Sequence, residues 1–569
     1  MVTMKYVHVA RVIGILVVLG LMVTVASAQG PIQLPKKPKP NVLQWRSGIV
    51  EEAVFFTPRE HFRPGAKQSP GHNILVNQDF NFRPQNETSI AIDPNNPKHI
   101  VTGYNDYRAG WPIGGGFSTS FDGGKTWHDG LVTFPALVTV EGIVEPPVGT
   151  GDPAVVIDNY GNAYHSSLAF SATWCENGVF VYASQDGGVS WWRPVVATGR
   201  GVVDYWSSAV DCSVFLDKEY MTVDNTGGPH DGRLYVTYTR FLFDSDGNYL
   251  ESPIYLAYSD DGGATWTVVG EINGSSQDLC EFQADTTGGT GPGATGPDAT
   301  PYDCDENQFS YPVVGSDGTL YVHFFNEQNE SEWDPTGDFD DQILVVRVDP
   351  DTFAVDGPYQ VTMVADGLSN YPISPSVERQ TVCNGGWRLN AAGNIAVGPS
   401  DELYVIWSDN RNGDTFPFPT ELNPDGTCPG GLNTSTDVFI SKSVDGGVTW
   451  SAPQRISNDP PNFDNWFPWV AVGDNGWVWA VYYDRRVSGD NTLTDAWVAV
   501  SKDGGATWKE FRASEESSNF RNAFFGTERF IGDYNGIAVS GKKAYPIWTD
   551  SRMDGDSDVF LDIVQAGGK

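Results

Sequence analysis

Basic residues are scarce in this sequence: 35 Lys and Arg stand against 72 Asp and Glu, a formal net charge of -37. That imbalance excludes surfaces built for nucleic acid phosphates or anionic membranes, because a polyanion repels both. The acids are dispersed among turns and form no single tail, which reads as a solvated surface. Long apolar runs are absent after the first 25 residues, so no membrane insertion is expected downstream. Cysteine is limited to six residues, none in a close Cys-x-x-Cys pair, which argues against a zinc site. The eight histidines show no paired metal spacing, and the chain has neither a Gly-x-Ser-x-Gly elbow nor a phosphate loop. No metal and no cofactor is therefore expected. Asp244-x-Asp246-Gly-Asn248 and Asp554-x-Asp556-x-Asp558 have carboxylate spacing suited to calcium, but neither continues into a calcium loop with its Gly and distal Glu. Polar turns are expected there, with calcium as the alternative.

What is present begins with a leader. Lys5 and Arg11 precede an apolar run from Val12 to Val25, and Ala26-Ser27-Ala28 follows as a small-residue cleavage site. This pattern predicts a signal peptide over residues 1-28 and a secreted, extracellular or periplasmic product. Residues 29-70 are rich in Pro and Lys without sustained period, as expected of a spacer. All six cysteines lie beyond the leader, an even count that suits an oxidising compartment. Sequence proximity pairs Cys175 with Cys212, Cys280 with Cys304, and Cys383 with Cys428.

Within residues 71-569 the octapeptide Ser-x-Asp-x-Gly-x-Thr/Ser-Trp occurs five times, after a run of alternating apolar residues each time. Its aspartates are Asp122, Asp186, Asp261, Asp445 and Asp503. Each is followed by Gly-Gly, so the carboxylate can bind backbone N-H groups while the glycines take positive φ. The closing Trp offers a large apolar face for packing between strands. The repeat resembles the Asp-box, or bacterial neuraminidase, repeat of the sialidase-like β-propellers. That resemblance implies an all-β propeller in which each box joins the two outer strands of a blade, on the face opposite the ligand site. The boxes are then architectural.

Strand patterns set the blade count. Alternating segments at Ser89 to Asp93, Ala154 to Asp158, Tyr220 to Asp224, Tyr311 to Gly315, Asn394 to Gly398, Trp469 to Gly473 and Gly536 to Ser540 are each followed by a partner strand. Seven hairpins predict seven blades, with six as the alternative because enzymes of the resembled family usually have six. The last unit stops after three strands, and an open sheet edge would invite aggregation. Asn73 to Asn77 is the spare strand-like run expected to close it. The Gly/Thr/Pro-rich insertion at 273-306, with Cys280 and Cys304 near its ends, reads as a stapled surface loop.

A second motif, aromatic-x-Asp-x-Arg, ends four of the partner strands at Arg108, Arg411, Arg486 and Arg552. Strand alternation puts the aromatic, the Asp and the Arg of each copy on one face. Two readings follow. The arginines rim the face opposite the boxes and grip a carboxylate through two-bond forks, or they form same-face ion pairs that clip blades together. Arg240, Glu87 and Asp533 complete the candidate ligand-binding set, and Asp152 and Glu219 stand at the same end of the strands. Sialidases use a Tyr nucleophile with a Glu and an Asp, a recognised departure from two-carboxylate glycosidases. By that resemblance the catalytic candidates are Tyr534, Glu219 and Asp152.

Three functions are consistent with these features. The first is an exported propeller that recognises a glycan or protein ligand, and the second an exo-sialidase-type glycoside hydrolase acting on terminal acidic sugars. The third is a structural surface or assembly protein. Neither oligomeric state nor catalysis follows from the sequence.

Overall fold

The computed structural model describes Val54, Phe55 and most of residues 73–566; residues 1–53, 56–72, 281–301, 328–340, 567–569 and a few short stretches lie outside the described residues. The expected leader and most of the spacer fall there, as does the middle of the 273-306 insertion. So do Asp246, Asn248, Asp554 and Asp556 of the two calcium-like turns.

Seven antiparallel sheets make up the ring, six with four strands that follow one another as a meander and the last with three such strands and a fourth from elsewhere in the chain. Their innermost strands are Gln85–Asp93, Gly149–Ile157, Val214–Val223, Asn307–Val314, Asn394–Val397, Asn465–Val472 and Gly536–Ser540. Each packs beside the next, and the seventh returns to the first, so the sheets form a closed ring. The protein is a seven-bladed β-propeller. Its inner-strand side chains alternate between neighbouring blades, which is why these segments are rich in Val, Ile and Ala on both faces. Buried Val, Leu, Tyr and Trp side chains fill the wedges between blades.

The box turns show why their sequence recurs. In the second blade Asp186 Oδ1 accepts hydrogen bonds from Val189 N at 3.1 Å and Ser190 N at 2.8 Å, while Oδ2 accepts from Ser190 Oγ at 2.6 Å. Ser184 Oγ donates to the same carboxylate and accepts from Gly188 N at 2.7 Å. Gly187 and Gly188 adopt φ of 75° and 90°, which side chains resist. Trp191 then packs edge-on to Phe117 of the first blade, 5.5 Å between ring centres.

Blade seven takes its outer strand from the opposite end of the chain. Ile74–Leu75 runs antiparallel to Asp558–Leu561, pairing Ile74 with Leu561 and Leu75 with Phe560. Asn77 pins this junction: its Oδ1 accepts from Val559 N at 2.8 Å, and its Nδ2 donates to Asp558 and Gln85 at 2.8 Å each. Further out, Val54–Phe55 adds a strand to the outer edge of blade one. Disulfides join Cys175 to Cys212, Cys280 to Cys304 and Cys383 to Cys428, the proximity pairings. Among the described residues no helix is long and apolar enough to cross a membrane.

Candidate functional site

Box turns join third to fourth strands, so the antiparallel meander puts them at one end of the ring and the starts of the inner strands at the other. At that second end the inner strands share a local defect. In blades one, two, three, four and six the pairing register slips by one residue near the strand start, a β-bulge. The bulge residue is left-handed: Glu87 has φ 56°, Asp152 57°, Lys218 49°, Phe309 55° and Phe467 47°. None is glycine, and a left-handed side-chain-bearing residue costs about 1–3 kcal/mol. The matching positions in blades five and seven are Ala392 and Tyr534.

The bulge turns these side chains toward the axis, where they form two arcs. Tyr534, Glu87, Asp152 and Lys218, from blades seven, one, two and three, make a polar arc. Phe309, Ala392 and Phe467, from blades four, five and six, make an apolar one. Beneath both, Tyr220, Tyr311 and Trp469 close the channel, with ring centres 4.3 to 5.5 Å apart. Below this plug a cavity of about 240 Å³ opens among Ile90, Ile157, Met221 and Ile537. Above it lie two clefts of about 10 and 30 Å³, the first aromatic and the second charged. Such spaces hold a few waters at most, so a larger ligand must lie across the rim.

Charges in the mouth are tightly coupled. Lys218 sets its ammonium 3.7 Å from the Tyr534 ring centre and 3.8 Å from Asp152 Oδ2. Arg388 forks onto Asp533, with Nε donating to Oδ1 at 2.6 Å, and approaches Glu87 Oε1 at 3.7 Å. Glu87 also accepts from Asn105 Nδ2 at 2.6 Å. Burial, then Asp152 and Asp533, hold the Glu87 carboxyl well above the usual carboxylate range against the opposing pull of Arg388 and Lys218. Burial and Asp152 likewise push Asp217 up to about 7. Glu219 is fully buried, neither oxygen has a hydrogen-bond partner, and burial with Asp152 drives its carboxyl upward too. The Tyr534 phenol donates to Pro153 O at 3.4 Å; burial and the Glu87 and Asp152 charges hold it well above an ordinary tyrosine.

Arg388 comes from outside the blade repeat. It lies on a segment after Arg379–Gln380 that Cys383–Cys428 ties to the blade-five insertion. Three further arginines hold this segment by its carbonyls: Arg485 donates to Cys383 O at 2.7 Å, Arg521 to Asn384 O at 3.2 Å and Arg529 to Gly385 O at 2.9 Å. Trp387 packs against Trp466 beneath it.

Of the residues expected from sequence, Glu87, Asp152, Glu219, Asp533 and Tyr534 come together at the mouth. The aromatic-x-Asp-x-Arg motifs turn outward. Arg108 bonds Asp106 at 2.6 Å and Asp129 of the outer strand at 2.9 Å, and Arg486 bonds Asp484 at 2.7 Å and Glu510 at 2.8 Å. Arg411 joins Asp409 at 2.8 Å to Met363 O of blade four at 3.0 Å, while Arg552 joins Asp550 to Asn73 Oδ1 at 2.9 Å. Arg240 donates to Tyr255 OH at 2.9 Å in its own blade. In these contacts each motif arginine pairs with the Asp of its own copy, and Arg411 alone reaches a neighbouring blade. Sequence reasoning missed Lys218, Asp217, Arg388 and Arg379; the run Asp217-Lys-Glu219 was the available signal for the first two. Among the described residues no group of three or more His, Cys, Asp or Glu side chains is arranged to hold a metal ion.

The chain's likeness to known proteins is remote. No family model and no curated protein matches the sequence. Solved structures similar to it include a PL25 polysaccharide lyase, an ulvan lyase, at 9% identity over 87% of this chain and 96% of that one, TM-score 0.44. An α-L-arabinofuranosidase from Fusarium graminearum is 12% identical over 87% and 98%, TM-score 0.38. A leech intramolecular trans-sialidase is 13% identical over 74% and 67%, TM-score 0.39.

Proposed function

We propose that this is an exported recognition propeller whose mouth, opposite the box turns, binds a glycan. The carrying observation is the ring of left-handed bulge residues. Five side-chain-bearing residues hold a costly backbone conformation at one level of the ring, and strain of this kind concentrates at ligand sites. The division into a polar and an aromatic arc suits a sugar, which offers hydroxyl edges to charged groups and C-H faces to aromatic rings. A spacer or assembly role would need no such strain. Three disulfides and the acidic surface fit an exported product.

The sialidase-type alternative requires Tyr534 to ionise and attack. Its buried phenol, pressed by Glu87 and Asp152, opposes that step, so recognition is the better reading. A glycan array probed with the purified full chain tests it. Binding to a defined glycan class that Lys218→Met abolishes, with unchanged circular dichroism, supports the proposal. Turnover of a fluorogenic sialoside that Tyr534→Phe removes would replace it with the hydrolase.

A further inference from the structure

Arg388 is already engaged at the mouth, and Lys218, whose ammonium makes no hydrogen bond, lies close to an acid and a ring. Arg388 forks onto Asp533 and faces Glu87; Lys218 lies between Asp152 and the Tyr534 ring. Arg379 borders the same charged cleft. Against these three stand five carboxyl groups from four adjoining blades: Glu87, Asp152, Asp217, Glu219 and Asp533. Glu219 has no hydrogen-bond partner and one Glu87 oxygen lacks one, so both are buried acids without full compensation. The facing arc of Phe309, Ala392 and Phe467 contributes no charge.

A carboxylate or sulfate entering this mouth would compete with Asp533 for Arg388 and with Asp152 for Lys218, and would add one more acid to the five already crowded there. A hydroxyl enters neither competition, since it can accept from the outer edge of a cation and donate to a carboxylate at once. Resting on the glycan reading above, the geometry points to the ligand class: the sugar that enters the mouth is uncharged, and its carboxylate-bearing counterpart is turned away.

The exclusion depends on pH with a definite sign. Burial and mutual repulsion keep Glu87 and Glu219 protonated beyond the usual carboxylate range and bring Asp217 to about 7. Burial and the Glu87 and Asp152 charges keep Tyr534 neutral over this range. As pH rises the mouth gains negative charge and repels an anionic sugar more strongly; as pH falls those carboxyls take up protons and the repulsion relaxes.

The test uses matched pairs on the full chain: glucosyl and galactosyl oligosaccharides against the same oligosaccharides ending in glucuronate or galacturonate, by isothermal titration. The neutral member is expected to bind more tightly by about tenfold or more at about pH 8.5, the scale of one unfavourable buried charge contact. The gap should narrow at about pH 5.5, where the uronate itself stays ionised. Asp152→Asn should narrow it at the higher pH, and Asp217→Asn, which removes another acid of the same cleft, should narrow it likewise as a second variant. Equal or tighter uronate binding at the higher pH would overturn the inference while leaving glycan recognition standing, as would a gap that neither variant moves. Failure of every sugar, neutral and acidic, would instead overturn the glycan reading.

Discussion

Lys218 lays its ammonium 3.7 Å from the ring centre of Tyr534, two blades of the ring lying between the strands that carry them. The contact spans the polar arc of the mouth and makes the tyrosine a platform for a cation. The ring matters here and the hydroxyl does not. Tyr534→Phe should keep glycan affinity within about threefold, whereas Tyr534→Leu should weaken it by about tenfold, the size of a partly desolvated cation–π contact. Titration calorimetry on both variants checks this.

Asp152 combines a strained backbone with a crowded carboxylate. Asparagine has the same shape, adopts the left-handed region more readily and removes one charge from the cluster. Asp152→Asn is expected to raise the thermal midpoint by about 2 °C, corresponding to about 1 kcal/mol in a large domain, while reducing discrimination among sugars. A midpoint lowered by scanning calorimetry would contradict the strain argument.

Two sets of carboxyls act on stability in opposite directions. Side-chain and backbone hydrogen bonds in the box turns lower Asp445 and Asp503 to about 2, so their contribution is present above the unfolded value near 4 and is lost as pH falls toward 2. Burial at the mouth raises Asp217 to about 7, so its protonated form favours folding below about pH 4 and that benefit is lost as pH rises through 7. The midpoint of urea unfolding should therefore peak on the acid side of neutrality. Asp217→Asn should flatten the alkaline limb and leave the acid limb unchanged.

Cys383–Cys428 spans 45 residues, a loop whose closure is worth about 4 kcal/mol in the chain-entropy view. It also steadies the segment that brings Arg388 to Asp533. The double variant Cys383→Ser with Cys428→Ser should lower the midpoint and weaken glycan binding, while far-ultraviolet circular dichroism still reports the sheets. Unchanged affinity would mean that the three arginine-to-carbonyl contacts hold Arg388 without the covalent tie.

Removing residues 1-77 leaves the third strand of blade seven unpaired. Exposed strand edges associate, so the truncated chain should oligomerise at concentrations where the full chain does not, as light scattering would show. Asn77→Ala, which strips several hydrogen bonds from the same junction, should produce a milder form of this behaviour.

The sequence reading of the fold followed the inner strands from Ser89, Tyr220, Tyr311 and Trp469 onward, and each of these residues stands just below a bulge. Alternation is interrupted there, because a left-handed residue reverses which face the next side chain occupies. The upper parts of those strands, with Lys218 and Phe309, were invisible to a period-two pattern. Glu87, Asp152, Glu219 and Asp533 were legible as acids near the strand starts, and Tyr534 through the resemblance to a tyrosine nucleophile, bulge or no bulge. Arg388 was not, since its segment belongs to no repeat and reaches the mouth through a disulfide and three carbonyl contacts. The motif arginines were read as a same-face unit with their aspartates, which they are; the direction of that face depended on the outer strands, which local patterning does not orient.

Ile74 and Leu75 are made well before the strand they complete, Asp558–Leu561. Six sheets can form as synthesis proceeds, but the wheel cannot lock until its final spoke meets a segment synthesised almost five hundred residues before. Closure of the ring therefore waits on synthesis of Asp558–Leu561, and until that strand exists the early segment has no partner in blade seven.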